Sequence, residues 1–68
     1  MTLNLTLNGE IRRFDGPLSV AGLIAVLGLD TRKVAIERNL AIVPRSQHEG
    51  AMLAEGDRVE IVEFIGGG

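Results

Sequence analysis

Sixty-eight residues with a formal net charge of −2 and a pI near 5.2 make one domain, close to the lower size limit for a single hydrophobic core. The acidic balance, with Phe14 and Phe64 the only aromatics, argues against nucleic acid as a partner, because phosphates need a basic surface and single strands need stacking platforms. The absence of cysteine excludes disulfides, thiolate metal ligands and a cysteine nucleophile. With no secretory pattern and no apolar run of membrane-spanning length, the chain reads as cytoplasmic by default, without a membrane partner.

In chain order, residues 3–7 ("LNLTL") alternate apolar and polar with period two, which predicts a half-buried strand. Asn8-Gly9 is a hairpin signal, and residues 10–14 ("EIRRF") form the returning strand. A two-residue turn would set Leu5 opposite Arg12 and bring a charge onto the leucine face. A three-residue loop ending at Gly9 would set Leu5 opposite Ile11, and the hydrophobic pattern favours that second register. "DGP" at residues 15–17 breaks the chain, and Ser19 then caps a helix whose apolar stripe is Val20, Leu23, Ile24 and Leu27. Gly28 fits the left-handed position that ends a helix, with Leu29 folding back on the last turn. Gly22, inside the helix, is expected to let it sit close to the sheet.

Residues 33–39 ("KVAIERN") predict a third strand with Val34 and Ile36 on one face, and "AIVP" a brief edge strand stopped by Pro44. Residues 45–53 are irregular, with room for one helical turn and with Leu53 as the anchor. "EGD" is a turn, and residues 58–65 ("RVEIVEFI") are the last strand. The order β-β-α-β-β-β, with one helix to cover one sheet face, is solved most economically by a mixed sheet in which the first and last strands lie side by side and parallel. This predicts an α+β, β-grasp (ubiquitin-like) fold. A sheet of four or five strands carries one helix on one face, the domain spans residues 1–65, and residues 66–68 form a flexible glycine tail.

Side-chain catalysis finds little support in this order. Ser46, His48 and Asp57 supply triad residue types, but no glycine-framed nucleophile surrounds the serine, and a surface loop is the simpler reading. A single histidine without cysteine or a calcium-loop acidic pattern gives no metal site, and no cofactor is expected. Attention falls instead on the last strand and its end. If Val59 and Ile61 face the core, then Val62 and Phe64 stand on the uncovered face, as candidates for partner docking. Gly66, Gly67 and Gly68 would form a thin thread of roughly 10 Å. Such a thread can enter a channel that excludes any side chain and present a terminal carboxylate to another enzyme.

"VAIERN" followed by "IVPRSQ" and then "LAEGDRVEIVEFIGGG" resembles, across nearly the whole length, the ThiS family of ubiquitin-like sulfur carriers of thiamine biosynthesis. The resemblance implies a carrier protein that is not itself an enzyme. Its terminal carboxylate, here Gly68, is adenylated by an E1-like (ThiF-type) adenylyltransferase and converted to a thiocarboxylate. The sulfur comes from a cysteine desulfurase or rhodanese-type donor, and passes to a ThiG-type thiazole synthase. One departure stands out: the family often follows "ERN" with Gly-Glu or a similar polar turn, and this chain has Leu40-Ala41. The small subunit of molybdopterin synthase shares the fold and the Gly-Gly end, but its members tend to be longer and to carry a proline before the last glycines. A ubiquitin-like tag or binding module joined through Gly68 is the alternative of a different class.

Overall fold

In the computed structural model, which describes residues 1–64, the alternating leucines of the first strand set the orientation of the whole sheet. Leu3, Leu5 and Leu7 of β1 (Thr2–Leu7) all point to the buried face. β1 pairs antiparallel with β2 (Glu10–Asp15), and a helix, α1 (Val20–Val26), crosses back over their buried side. The chain then runs through a 3-10 turn at Thr31–Lys33, β3 (Val34–Arg38), β4 (Ala41–Val43), a second 3-10 turn at Arg45–Gln47, and β5 (Arg58–Glu63). The five strands lie in the order β2-β1-β5-β3-β4, with β1 and β5 parallel and every other pair antiparallel. This is the mixed sheet with one helix expected from the element order, and the first and last strands are neighbours at its centre.

The helix boundaries follow from side-chain chemistry. The Ser19 hydroxyl accepts from the Gly22 N–H at 2.9 Å, satisfying one of the free first-turn donors. At the other end Gly28 takes φ 74°, its N–H bonds to the Ala25 carbonyl, and the Leu29 N–H bonds to the Ile24 carbonyl. That pair of bonds closes the helix in a Schellman motif. Val20, Leu23 and Ile24 are buried against Leu5, Ile36 and Val59, and Leu27 packs at the margin of the same core. Leu53 is buried beneath the loop before β5, which lies along the start of α1 through bonds from Val20 N–H to the Ala51 carbonyl and from Leu53 N–H to the Leu18 carbonyl.

Two expectations are corrected. The first hairpin has the two-residue turn, so Leu5 faces Arg12 and Ile11 faces Thr6. Asn8 and Gly9 adopt φ 49° and 84°, the conformation whose twist matches the flanking strands, and this turn preference overrides the hydrophobic pattern. The cost is small because β2 is an edge strand: the Arg12 guanidinium lies 5.4 Å over the Phe14 ring, while Ile11 is left 80% exposed on the open face. The second correction concerns Gly22. A side chain there would meet Leu18 and Ser19, at 3.0 and 3.3 Å, so this glycine fits the helix to the segment entering it and not to the sheet.

Candidate functional site

β5 is held on both sides until its last residues. On one side its register with β3 pairs Val34 with Glu63, and the Phe64 N–H continues this by donating to the Lys33 carbonyl at 2.7 Å. On the other side β1 pairs with β5 only at Thr6 and Leu7, after which the chain turns away. Asn8 fills the gap. Its N–H bonds to the Val59 carbonyl, its side-chain carbonyl accepts from the Ile61 N–H at 2.8 Å, and its amide donates to the Ile61 carbonyl at 3.3 Å. A turn residue thereby acts as one more rung of the parallel ladder. The glycines singled out in the sequence, Gly66, Gly67 and Gly68, together with Ile65, lie outside the described residues.

The start of β5 is anchored by a carboxylate. Asp57 is buried and accepts three hydrogen bonds, from Arg38 Nε at 2.8 Å, from the Ala54 N–H at 2.8 Å and from Asn39 Nδ2 at 3.1 Å, and Arg38 Nη2 completes the ion pair at 2.7 Å. Burial pushes its carboxyl upward, but the Ala54 N–H, the Asn39 amide and the Arg38 guanidinium together outweigh that and hold it below the usual aspartate value. Asn39 completes the staple, its side-chain carbonyl accepting from the Arg58 N–H and its own N–H donating to the Arg58 carbonyl. The β3–β4 turn and the start of β5 are thus one unit.

The face of β5 turned from the helix is the open one. Val59 is fully buried on the core side and Ile61 partly so, whereas Val62 and Phe64 are each 58% exposed on the opposite face. Sequence parity foresaw this assignment. It did not foresee Ile42, which sits opposite Glu37 on β4 and adds another exposed apolar side chain, 65% accessible, to the same face beside Val62 and Phe64. Its signal was available: in "AIV" the middle residue has the opposite parity to Val43, which packs against the core. Leu40, in the β3–β4 turn, is exposed as well.

The three triad residue types are not brought together. His48 is buried between Thr31 and β4, its Nε2 at 3.1 Å from the Val43 carbonyl and its Nδ1 at 3.0 Å from the Thr31 hydroxyl. The Val43 carbonyl can only accept, so Nε2 carries a proton and donates to it. Asp57 is committed to Arg38 and Asn39. A groove of about 780 Å³ runs between α1 and the two 3-10 turns, past His48 and Arg32. Of its polar groups, Arg32 is paired with Asp30 at 2.9 Å and His48 with Thr31, and the sequence candidate Ser46 lines it together with Arg45 and Glu49. Among the described residues no cluster of histidine, aspartate and glutamate is arranged to hold a metal, and no helix is long and apolar enough to cross a membrane.

A parallel pair of central strands, a single helix on one face and an apolar patch on the other define a ubiquitin-like β-grasp domain. The ThiS family model matches residues 5–68, and the chain belongs to the ThiS family. The sulfur carrier protein ThiS of Bacillus subtilis is 32% identical over 65 residues, covering 94% of this chain and 98% of that protein. The crystal structure of the thiamine biosynthesis protein (ThiS) from Geobacter metallireducens superposes with a TM-score of 0.82 at 33% identity, covering 97% of this chain and all of that one. Higher identity is found with two longer proteins named thiazole synthase. One, from Paramagnetospirillum magneticum, is 50% identical over 66 residues, and the other, from Magnetococcus marinus, is 41% identical over 66 residues. This chain spans 20% of the length of each.

Proposed function

We propose that this chain is a sulfur carrier for thiazole ring formation in thiamine biosynthesis, working through the carboxylate of Gly68 as its last residue. The observation that carries the reading is that the family match runs through the glycine end itself, to residue 68. A firmly held last strand supports it as well: Asn8 bonds Ile61 on one side of β5 and the Lys33 carbonyl accepts from the Phe64 N–H on the other.

The chemistry follows from the weakness of a carboxylate as an electrophile. An E1-like, ThiF-type adenylyltransferase joins the Gly68 carboxylate to the α-phosphorus of ATP with loss of pyrophosphate, making a mixed anhydride. A persulfide on a cysteine desulfurase or rhodanese-type donor attacks the carbonyl carbon and expels AMP. A thiol then cleaves the sulfur–sulfur bond and leaves the thiocarboxylate. Gly66 and Gly67 serve by having no side chains, so that the thread fits a narrow enzyme channel. The recipient is a ThiG-type thiazole synthase. This is supported by the two relatives of that name, in which a domain like this one belongs to the same polypeptide as four further fifths of sequence. Val62 and Phe64 form the docking face.

The test is intact-protein mass spectrometry after incubation with the adenylyltransferase, ATP and a persulfide donor, beside a chain lacking Gly68. Replacement of one oxygen by sulfur on the C-terminal peptide, absent from the shortened chain, is the expected result. An unchanged mass, or Gly68 found in amide linkage to another protein, would overturn the reading.

A further inference from the structure

The open face carries a feature that the tail chemistry does not require. Glu37 of β3 and Glu60 of β5 are direct cross-strand partners, and both point away from the helix. Like charges placed directly opposite one another in a sheet repel. The ion pairs among the described residues are Asp30–Arg32 and Arg38–Asp57, and neither glutamate shares in them. Toward β4 and the end of β5 the face beside the two carboxylates is apolar: Ile42 is opposite Glu37, the Ala35–Val62 pair is next along the strands, and Phe64 follows. The basic residues of this face are Lys33, opposite Phe64, Arg58, opposite Thr6 and two residues before Glu60, and Arg13, opposite Asn4 on the outer strand β2.

An acidic pair set within an exposed apolar rim is complementary to a basic side chain standing in an apolar patch. A second copy of the same face would bring four carboxylates together, which excludes self-association through it. An anionic lipid surface is disfavoured for the same reason. We infer that Glu37 and Glu60 together receive an arginine or lysine of the thiazole synthase, with Ile42, Val62 and Phe64 packing around that contact. The inference rests on the proposed carrier function and names the element of the docking face that selects the partner. Burial of the contact converts a repulsive pair in the free chain into a paired one in the complex, so the pair confers specificity more than stability.

The experiment is calorimetric titration of the full chain into purified thiazole synthase, for the unaltered protein and for Glu37→Gln, Glu60→Gln, the double variant, and Glu49→Gln on the helix side as control. The double variant is expected to weaken binding about tenfold and to lose most of the salt dependence of affinity, with the control unchanged. Its thermal midpoint should stay the same or rise, since a repulsion has been removed. An unchanged affinity in the double variant, an equal loss in Glu49→Gln, or weakened binding confined to the adenylyltransferase would each overturn the inference. Thiocarboxylate formation is scored separately by mass. Failure of the unaltered chain to accept sulfur counts against the carrier function, whereas normal loading with unaltered synthase affinity in the double variant counts against this contact alone.

Discussion

Asn8 and Ile61 are joined by two hydrogen bonds between one side chain and one residue's backbone, at 2.8 and 3.3 Å. Asn8 therefore has two duties that share no atoms. Its backbone, at φ 49°, makes the hairpin turn, and its carboxamide extends the β1–β5 ladder. Glycine performs the first duty as well as asparagine and the second not at all. Asn8→Gly should leave the hairpin intact and cost about 1 kcal/mol, the net worth of exposed side-chain hydrogen bonds. The specific signature is faster amide hydrogen exchange at Ile61 than at Ile36. Equal protection at both sites would show that β1 and β5 hold together without the side chain.

Asp57 links the β3–β4 turn to the start of β5, and its loss should be felt more strongly. Asp57→Ala leaves the largely buried Arg38 guanidinium and the Ala54 N–H without their acceptor, and about 2–3 kcal/mol of stability should be lost at neutral pH. The pH dependence has a definite sign. The folded-state value lies below that of an ordinary aspartate, so the contribution is complete above the ordinary value and disappears as pH falls through the lower folded one. Urea midpoints taken from pH 6 down to about pH 2.5 should fall more steeply for the native chain than for Asp57→Asn. Parallel curves would mean that other carboxylates govern the acid limb.

Leu40 sits at φ 73° in the second two-residue turn, after Asn39 at φ 50°. A leucine held there carries a left-handed penalty of about 1–2 kcal/mol, and its side chain is 78% exposed, so little packing offsets the strain. Leu40→Gly removes the penalty and adds back up to about 1 kcal/mol of unfolded-chain entropy. A net gain of about 0.5 kcal/mol in thermal or urea unfolding is expected, with Leu40→Ala giving none because the alanine keeps its Cβ. The position is the one at which this chain departs from the Gly-Glu often found after "ERN" in related sequences, and the backbone angle supplies the physical reason for a glycine there.

Periodicity made the sheet and helix legible because both bury one face: the parity of Leu3 to Leu7 and of Val59 to Ile61 fixes which side is core, and Ser19 and Gly28 bound the helix by local bonding alone. The hairpin register departs from the hydrophobic pattern because pattern and turn chemistry disagree, and at an edge strand the pattern has less to enforce: Arg12 reaches solvent over Phe14 without cost to the core. What stayed hidden was made by pairing at a distance. Nothing near Asn8 in sequence announces Ile61, and nothing near Glu37 announces Glu60, because those relationships exist only once β5 lies between β1 and β3. The 3-10 turn at Thr31–Lys33 has no signal for a different reason, since three residues are too few to show a period, whereas the turn at Arg45–Gln47 falls in the segment expected to hold one helical turn.

The separation of folding from docking on β5 can be tested directly with two substitutions of similar chemistry on opposite faces. Val59 is fully buried beneath α1, and Val59→Ala should cost about 2 kcal/mol, the transfer of two methyl groups plus part of a cavity. Phe64 is 58% exposed and lies past the end of the strand, so Phe64→Ala should change stability by less than about 0.5 kcal/mol although more atoms are removed. The order reverses for binding. At the proposed docking face Phe64→Ala should weaken affinity for the thiazole synthase several-fold, and Val59→Ala should leave it unaltered at temperatures where the variant is folded. Unfolding midpoints and calorimetric affinities on the same two samples decide the matter. A large stability loss in Phe64→Ala would mean that the aromatic ring supports the sheet and not a partner.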